Sequence, residues 1–293
     1  MEVAFSHWSV SWPVLVSYVL AASASLVGLR RLLAAGPAVP GTGTPPQLRR
    51  EALVFQAGLL IVLLALVSPV GYWSAVYIWV RALQELLVAV IGPALIVLGA
   101  PWLSFRELWP RRGEAAANGR DRVPVLVSRP VLAVVAFNVI FVCWQIPLLF
   151  DLAHANAGLA LAEHASYLAA GLLFWLQLIS SRPIKLHSPP LRRLTLLIGT
   201  VGMSTVLGMV LVFGSGVIYP GYANAAHHIM TVLDDQQLSG AVLWMGMLPP
   251  LIVAAIALLM HWLGNEESAE LSADLDRLLM PRRTGWPSRP VIR

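Results

Sequence analysis

The sequence predicts an all-α membrane protein, a bundle of seven transmembrane helices with the N-terminus outside and the C-terminus in the cytoplasm. Three observations support this fold class. Apolar residues make up 58% of the 293 residues, and charged residues only 12%, about half the roughly 25% of soluble domains. The apolar residues are gathered in long stretches. Of the 20 basic residues, 19 lie in four short blocks between these stretches.

Seven stretches are long enough to cross the hydrocarbon core of a bilayer, which takes about 20 apolar residues in a helix. Each is expected to be helical because unpaired backbone groups are costly in hydrocarbon. The predicted spans are residues 12–33, 52–70, 75–99, 130–150, 159–180, 191–214 and 238–263. They define a predicted membrane domain, residues 1–264, and a basic cytoplasmic tail, residues 265–293.

The basic blocks orient the chain in the membrane. They occupy the first, third and fifth connections and the tail, whereas the connections around residues 70–74, 151–158 and 215–237 contain no Lys or Arg. Cytoplasmic loops carry the excess of basic residues in membrane proteins, so the N-terminus is predicted to lie outside. Because topology accounts for the basic residues and no nucleic-acid-binding motif is present, the pI near 9.9 does not indicate a nucleic-acid partner.

Polar side chains interrupt the spans at positions that share one depth. Arg81 lies inside the third span with Gln84 beside it, and Glu85 follows one turn later, so Arg81 and Glu85 can pair on one helix face. Intramembrane charges normally face the bundle interior or a cavity. Further polar residues lie at the outer ends of other spans: Gln145, Glu163, His164, Asp235 and Gln236. We predict that they converge on one site that opens to the outside.

The residues leave three roles open for this site. Imidazole, thiolate and thioether groups suit copper, and such donors near the outer face are His154, His164, His227, His228, Met230 and Cys143. Alternatively, Arg81, Glu85, Glu163 and His164 form a relay in a proton- or ion-coupled transporter. In the third alternative the polar groups only fix helix packing, with Cys143 a small core residue and the loop histidines solvated.

No Walker loop, His-Glu-x-x-His or Gly-x-Ser-x-Gly motif is present, so the sequence does not predict an enzyme.

Three segments together resemble one known family. The third span reads RALQELLVAVIGPALIVLGAP, the fifth contains LAEHASYLAAGLLFW, and LDDQQLSGAVLW precedes and enters the seventh. These segments are similar to the CtaG-type cytochrome c oxidase assembly family, over roughly residues 50–262. The positions that match are Gln84, Pro93, Leu98, Gly99, Pro101, His164, Gly171, Phe174, Trp175, Asp234, Asp235, Gln236, Gly240 and Trp244.

The resemblance implies a seven-span protein of the bacterial cell membrane that helps to assemble a respiratory oxidase, through copper delivery or by holding a client subunit. Its implied partners are the bilayer, oxidase subunits and other assembly factors, and its implied cofactor is copper. The metal candidates are His164, His227, His228 and Asp235.

This chain departs from the family pattern at three positions. Arg81 and Glu85 stand where the family's third-span pattern has histidines. Gln145 stands where the fourth span of such proteins often has a further histidine. The departures predict a divergent member in which an ion-pair site replaces a metal site.

Overall fold

The structure is a computed structural model, and it describes residues 8, 11–34, 43–108, 129–182, 184, 188–222 and 230–279. Of residues 261 and 265–279 only the backbone is described. Within this part of the chain the regular elements are helices: α1 Trp12–Ala34, α2 Pro45–Val67, α3 Pro69–Trp73, α4 Ile78–Leu98, α5 Trp102–Arg106, α6 Pro130–Trp144, α7 Pro147–Ala155, α8 Ala157–Leu178, α9 Pro190–Phe213 and α10 Val232–Leu279.

Six of these helices, α1, α2, α4, α8, α9 and α10, are long and apolar enough to cross a membrane. The count becomes seven if α6 and α7 together form one span. The all-α fold class is confirmed, and the helices are those of a multi-pass membrane protein. Five helices have proline as their first residue, where the missing N–H would be unpaired in any case: α2, α3, α6, α7 and α9.

The predicted fourth span, residues 130–150, is broken rather than straight. The axis bends by 72° between α6 and α7. Pro147 cannot donate a backbone hydrogen bond and disfavours helical backbone at Ile146, which is extended with a ψ of 126°. After the bend, α7 packs against α8 and against the turn Pro220–Tyr222.

The predicted boundary between membrane domain and tail falls inside a helix. The backbone of α10 passes through Gly264 without interruption and remains helical to Leu279. The division at residue 265 stays a prediction, and residues 280–293 lie outside the described chain.

The central helix of the bundle is α4. In its most apolar window 78% of the residues are buried, against at most 39% in the other spans. One π-helical turn, Leu87–Ile91, interrupts it. Before this turn, over Ile78–Leu86, α4 packs mainly on α10. After the turn, over Gly92–Leu98, it packs mainly on α2. The two halves of α4 therefore face different neighbours.

The described basic residues outside α4 gather at one end of the bundle, here called the basic end. Arg31, at the end of α1, donates from Nη1 to the carbonyl of Glu107 at 3.0 Å. Arg182, beyond the end of α8, forms an ion pair of 2.6 Å with Glu51 near the start of α2. This grouping is what the predicted topology requires. Which end faces the cytoplasm stays a prediction.

Candidate functional site

At the end opposite to the basic end, Arg81 lies near the start of α4 and is 5% exposed. Its guanidinium is held mainly by Glu163 of α8, since Nη2 donates to both carboxylate oxygens at 2.8 and 2.9 Å. Nε donates to Glu85 at 3.3 Å, so the predicted pairing along one face of α4 is confirmed. The cation thus lies between two buried carboxylates from different helices.

The remaining donors of Arg81 reach α7 and the loop before α10. Nη1 donates to the carbonyl of Phe150 at 3.1 Å and to the hydroxyl of Tyr222 at 3.4 Å. The guanidinium carbon lies 3.6 Å from the centroid of the Phe150 ring, a cation–π contact. All three nitrogens of the Arg81 guanidinium therefore have partners, which is how a buried guanidinium avoids the cost of lost hydration.

A hydrogen-bonded chain continues from Glu85 to the bend between α6 and α7. Gln145 donates from Nε2 to Glu85 at 2.6 Å and accepts from the Tyr219 hydroxyl at 3.0 Å. Gln145 ends α6, so the helix break aims this side chain into the cluster. Arg81, Glu85, Gln145 and Glu163, predicted to converge, are in direct contact, and we call them the Arg81 cluster.

A cavity of about 330 Å³ lies against the Arg81 cluster. Its polar lining includes Arg81, Glu163, His154 and His164, and its apolar lining includes small residues of α7 and α8 such as Ala160. The start of α8 is fixed by Asn156, whose side-chain oxygen accepts the backbone N–H groups of residues 158 and 159. His164, predicted as a site residue, thus shares this cavity with Arg81.

Three other predicted site residues form hydrogen bonds to backbone groups and are not part of the Arg81 cluster. Asp235, on α10, accepts the N–H groups that open α4. Gln236 pairs with the backbone at residues 216 and 218. Gln84 lines the cavity but donates from Nε2 to the carbonyl of Ala65 at 2.8 Å.

Of the four metal candidates, the structure describes His164 and Asp235. No group of three or more His, Cys, Asp or Glu side chains in the described part of the chain could hold a metal ion. His164 lines the cavity, Asp235 caps α4, and His227 and His228 lie outside the described residues. Cys143 is partly buried and lines a different space, between α6 and α9.

Sequence reasoning missed Phe150, Tyr219 and Tyr222. The two tyrosines flank Pro220-Gly221, a turn signal that gives no hint of a buried partner. Both are almost completely buried, and the Tyr222 hydroxyl also donates to the carbonyl of Ser74 at 2.8 Å. Burial raises the pKa of Tyr222 from its ordinary 10 to about 12. It therefore stays neutral at physiological pH.

Comparison with known protein families gives a match over most of the chain. The model of the cytochrome c oxidase caa3 assembly factor (Caa3_CtaG) family matches residues 26–265. The chain belongs to this family. The match includes the complete Arg81 cluster and confirms the family that the three sequence segments suggested. No curated protein and no solved structure matched the chain.

Copper, which the resemblance implies for Caa3_CtaG proteins, does not fit the four residues of the Arg81 cluster. Arg81 places a fixed positive charge between Glu85 and Glu163, and both carboxylates already accept from it. Copper prefers imidazole, thiolate and thioether donors, whereas the cluster offers carboxylates and an amide.

Proposed function

We propose that this chain acts in the bacterial cell membrane as an assembly factor for a respiratory cytochrome c oxidase, by holding a client subunit at the cavity beside Arg81. Membership of the Caa3_CtaG family supports the assembly role. The observation that supports holding is the satisfied Arg81 cluster, which gives the cavity a fixed polar floor. A preorganised surface loses little entropy on binding.

Holding a client requires no catalysis, and families of assembly factors are generally non-catalytic. Under the positive-inside rule the basic end faces the cytoplasm, so the cavity faces the outside. The client part it receives is then an extracytoplasmic loop or helix end of an oxidase subunit. The partly apolar, partly imidazole lining suits a side chain with both polar and apolar atoms.

The test fills the cavity without touching the Arg81 cluster. Ala160 lines the cavity on α8, whereas Ala162, on the same helix, is exposed and does not line it. In a strain lacking the gene, haem-copper oxidase is measured by difference spectra after complementation with Ala160→Phe or Ala162→Phe. We expect the first to fail and the second to restore the oxidase, at equal membrane levels of both variants.

Two results would reject this proposal. One is an unchanged oxidase spectrum in the deletion strain, which would remove the assembly role. The other is full restoration by Ala160→Phe, which would remove the cavity as the holding site. Copper is checked separately by metal analysis of the purified protein and of His164→Ala. Stoichiometric copper lost in the variant would replace client holding with copper delivery.

A proton- or ion-coupled transporter is the second candidate, because two buried carboxylates share one guanidinium and leave the cluster with a formal charge of −1. Against it, Val88, Ala89 and Val90 of α4, just below the cluster, are at most 1% exposed and offer no side-chain proton carrier. The test is proton uptake by proteoliposomes carrying wild type or Glu85→Gln. Uptake that the variant abolishes would favour transport.

A further inference from the structure

A groove between α6 and α9 runs from the basic end towards the middle of the bundle. We define this α6–α9 groove by Val135, Asn138, Val139, Gly199, Thr200 and Met203, which line a space of about 450 Å³. Its floor is closed by a hydrogen bond of 3.0 Å from Asn138 to Thr200. Val139 and Met203 are about half exposed, so the groove is open on the lipid-facing side.

The groove borders a second space at the basic end. This cavity of about 410 Å³ is lined by Arg129, Arg192 and apolar residues of α6, and Val135 lines both spaces. No acidic residue lines either space among the described residues. Arg129 immediately precedes α6 and Arg192 lies in the first turn of α9, so two positive helix ends reinforce the charge of the guanidinium groups.

The groove is long enough for an acyl chain that crosses one leaflet. Fourteen residues separate Arg129 from Cys143, which lines the far end of the groove, and at 1.5 Å per residue this is about 21 Å along α6. The hydrocarbon core of one leaflet is about 15 Å deep, half of a 30 Å core. A headgroup at Arg129 and Arg192 would therefore leave an acyl chain room to lie along the groove.

We propose that the α6–α9 groove is a binding site for an anionic glycerophospholipid, with its phosphate between Arg129 and Arg192 and an acyl chain along Val135, Val139 and Gly199. The paired arginines provide charge complementarity to phosphate, which a neutral partner helix would not need. Basic pockets between transmembrane helices at the cytoplasmic surface bind anionic headgroups in this way.

The chain offers matched variants for both halves of the site. For the headgroup, Arg129→Gln with Arg192→Gln is compared with Arg49→Gln with Arg50→Gln, two exposed arginines of α2 that line neither space. For the acyl chain, Gly199→Leu is compared with Gly202→Leu. A Cβ atom at either glycine meets nothing within 4 Å, but only Gly199 lines the groove.

The experiment is native mass spectrometry of the full-length protein in detergent, titrated with phosphatidylglycerol or with phosphatidylcholine of identical acyl chains. We expect wild type to retain phosphatidylglycerol preferentially. At about 1 kcal/mol per arginine, the double headgroup variant should bind it about thirtyfold more weakly. Gly199→Leu should weaken both lipids, and both control variants should resemble wild type. Thermal unfolding of each variant shows that it is folded.

Several outcomes would overturn the proposal. Equal retention of the two lipids by wild type would remove headgroup recognition, and unchanged retention in both test variants would remove the site. Displacement of phosphatidylglycerol by millimolar inorganic phosphate would show that the arginines bind free phosphate. A shift between monomer and dimer caused by Gly199→Leu, without a change in lipid, would make the groove an interface between copies of this chain.

Discussion

Asp235 on α10 caps the central helix α4: its Oδ2 accepts the backbone N–H of Ile78 at 2.8 Å, and its Oδ1 accepts that of Trp79 at 2.9 Å. These N–H groups have no partner within α4 because they open the helix. The negative charge also lies at the positive end of the helix dipole. One carboxylate thereby fixes the start of the helix that carries Arg81 and Glu85.

Asp235→Ala should lower the free energy of unfolding by about 2 kcal/mol, the upper range for loss of a helix cap, because the cap is completely buried. Thermal unfolding of the purified protein measures this. Asp234→Ala is the comparison, because Asp234 caps α10 through Thr231 at an exposed position and its loss should cost less, about 0.5–1 kcal/mol. Equal losses in the two variants would show that burial adds nothing to the cap on α4.

Arg81→Gln should destabilise the protein by about 3–5 kcal/mol, because it leaves two buried carboxylates without a counter-charge. The control is Arg182→Gln, which removes a partly exposed ion pair with Glu51 and should cost less than about 1 kcal/mol. Comparable midpoints of thermal unfolding for the two variants would contradict the central role of Arg81.

Exchanging the charges, with Arg81→Glu and Glu85→Arg together, should fail to restore stability lost in the single variants. An isolated pair would tolerate the exchange, but position 81 would then place a carboxylate against Glu163 and lose the bonds to Phe150 and Tyr222. A double-mutant cycle on unfolding free energies measures the coupling. Full recovery in the double variant would show that a simple ion pair suffices.

Gly171→Ala should destabilise the bundle more strongly than Gly202→Ala. A Cβ atom at Gly171 would collide with the carbonyl oxygen of Ala89 in the π-helical turn, whereas one at Gly202 meets nothing within 4 Å. Because the collision is with backbone, α4 and α8 must separate, and overpacking of this kind costs about 1–3 kcal/mol. Thermal unfolding at fixed detergent concentration compares the two, and equal midpoints would contradict the close crossing.

The raised pKa of Tyr222 predicts that the free energy of unfolding falls at alkaline pH. Its folded-state pKa, about 12, is above the ordinary value of 10, so its contribution is complete below pH 10 and is lost as the pH rises towards 12. The loss amounts to about 2–3 kcal/mol. Unfolding of Tyr222→Phe should lack this part of the decline between pH 10 and 12. Parallel curves for wild type and variant would contradict the assignment.

The sequence was sufficient for features that depend on local periodicity. Apolar length located six helices that could span a membrane, and the i, i+4 spacing predicted the contact of Arg81 with Glu85. Depth alone indicated that Glu163 and Gln145 could join them, because the predicted topology placed all four groups in one half of the membrane. The metal set was not tested, since His227 and His228 lie outside the described residues.

Other features depend on how helices pack, and sequence spacing does not encode them. Asp235 had the same predicted depth as the Arg81 cluster, but whether a carboxylate faces a cavity or a helix end is decided by the crossing of α10 and α4. Pro147 signals a break but not an angle of 72°. Tyr219 and Tyr222 reach the cluster only because the loop folds over it.

The π-helical turn Leu87–Ile91 adds an extra residue to one turn of α4 and so offsets everything that follows by about 100° around the axis. Removing one residue there would leave Arg81 facing its partners but would rotate Gly92 away from Val62 of α2. The directions in which the two halves of α4 point their side chains are therefore fixed independently of each other. Substitutions near the charged cluster can accumulate without misaligning the contact of α4 with α2 towards the basic end, and the reverse holds as well.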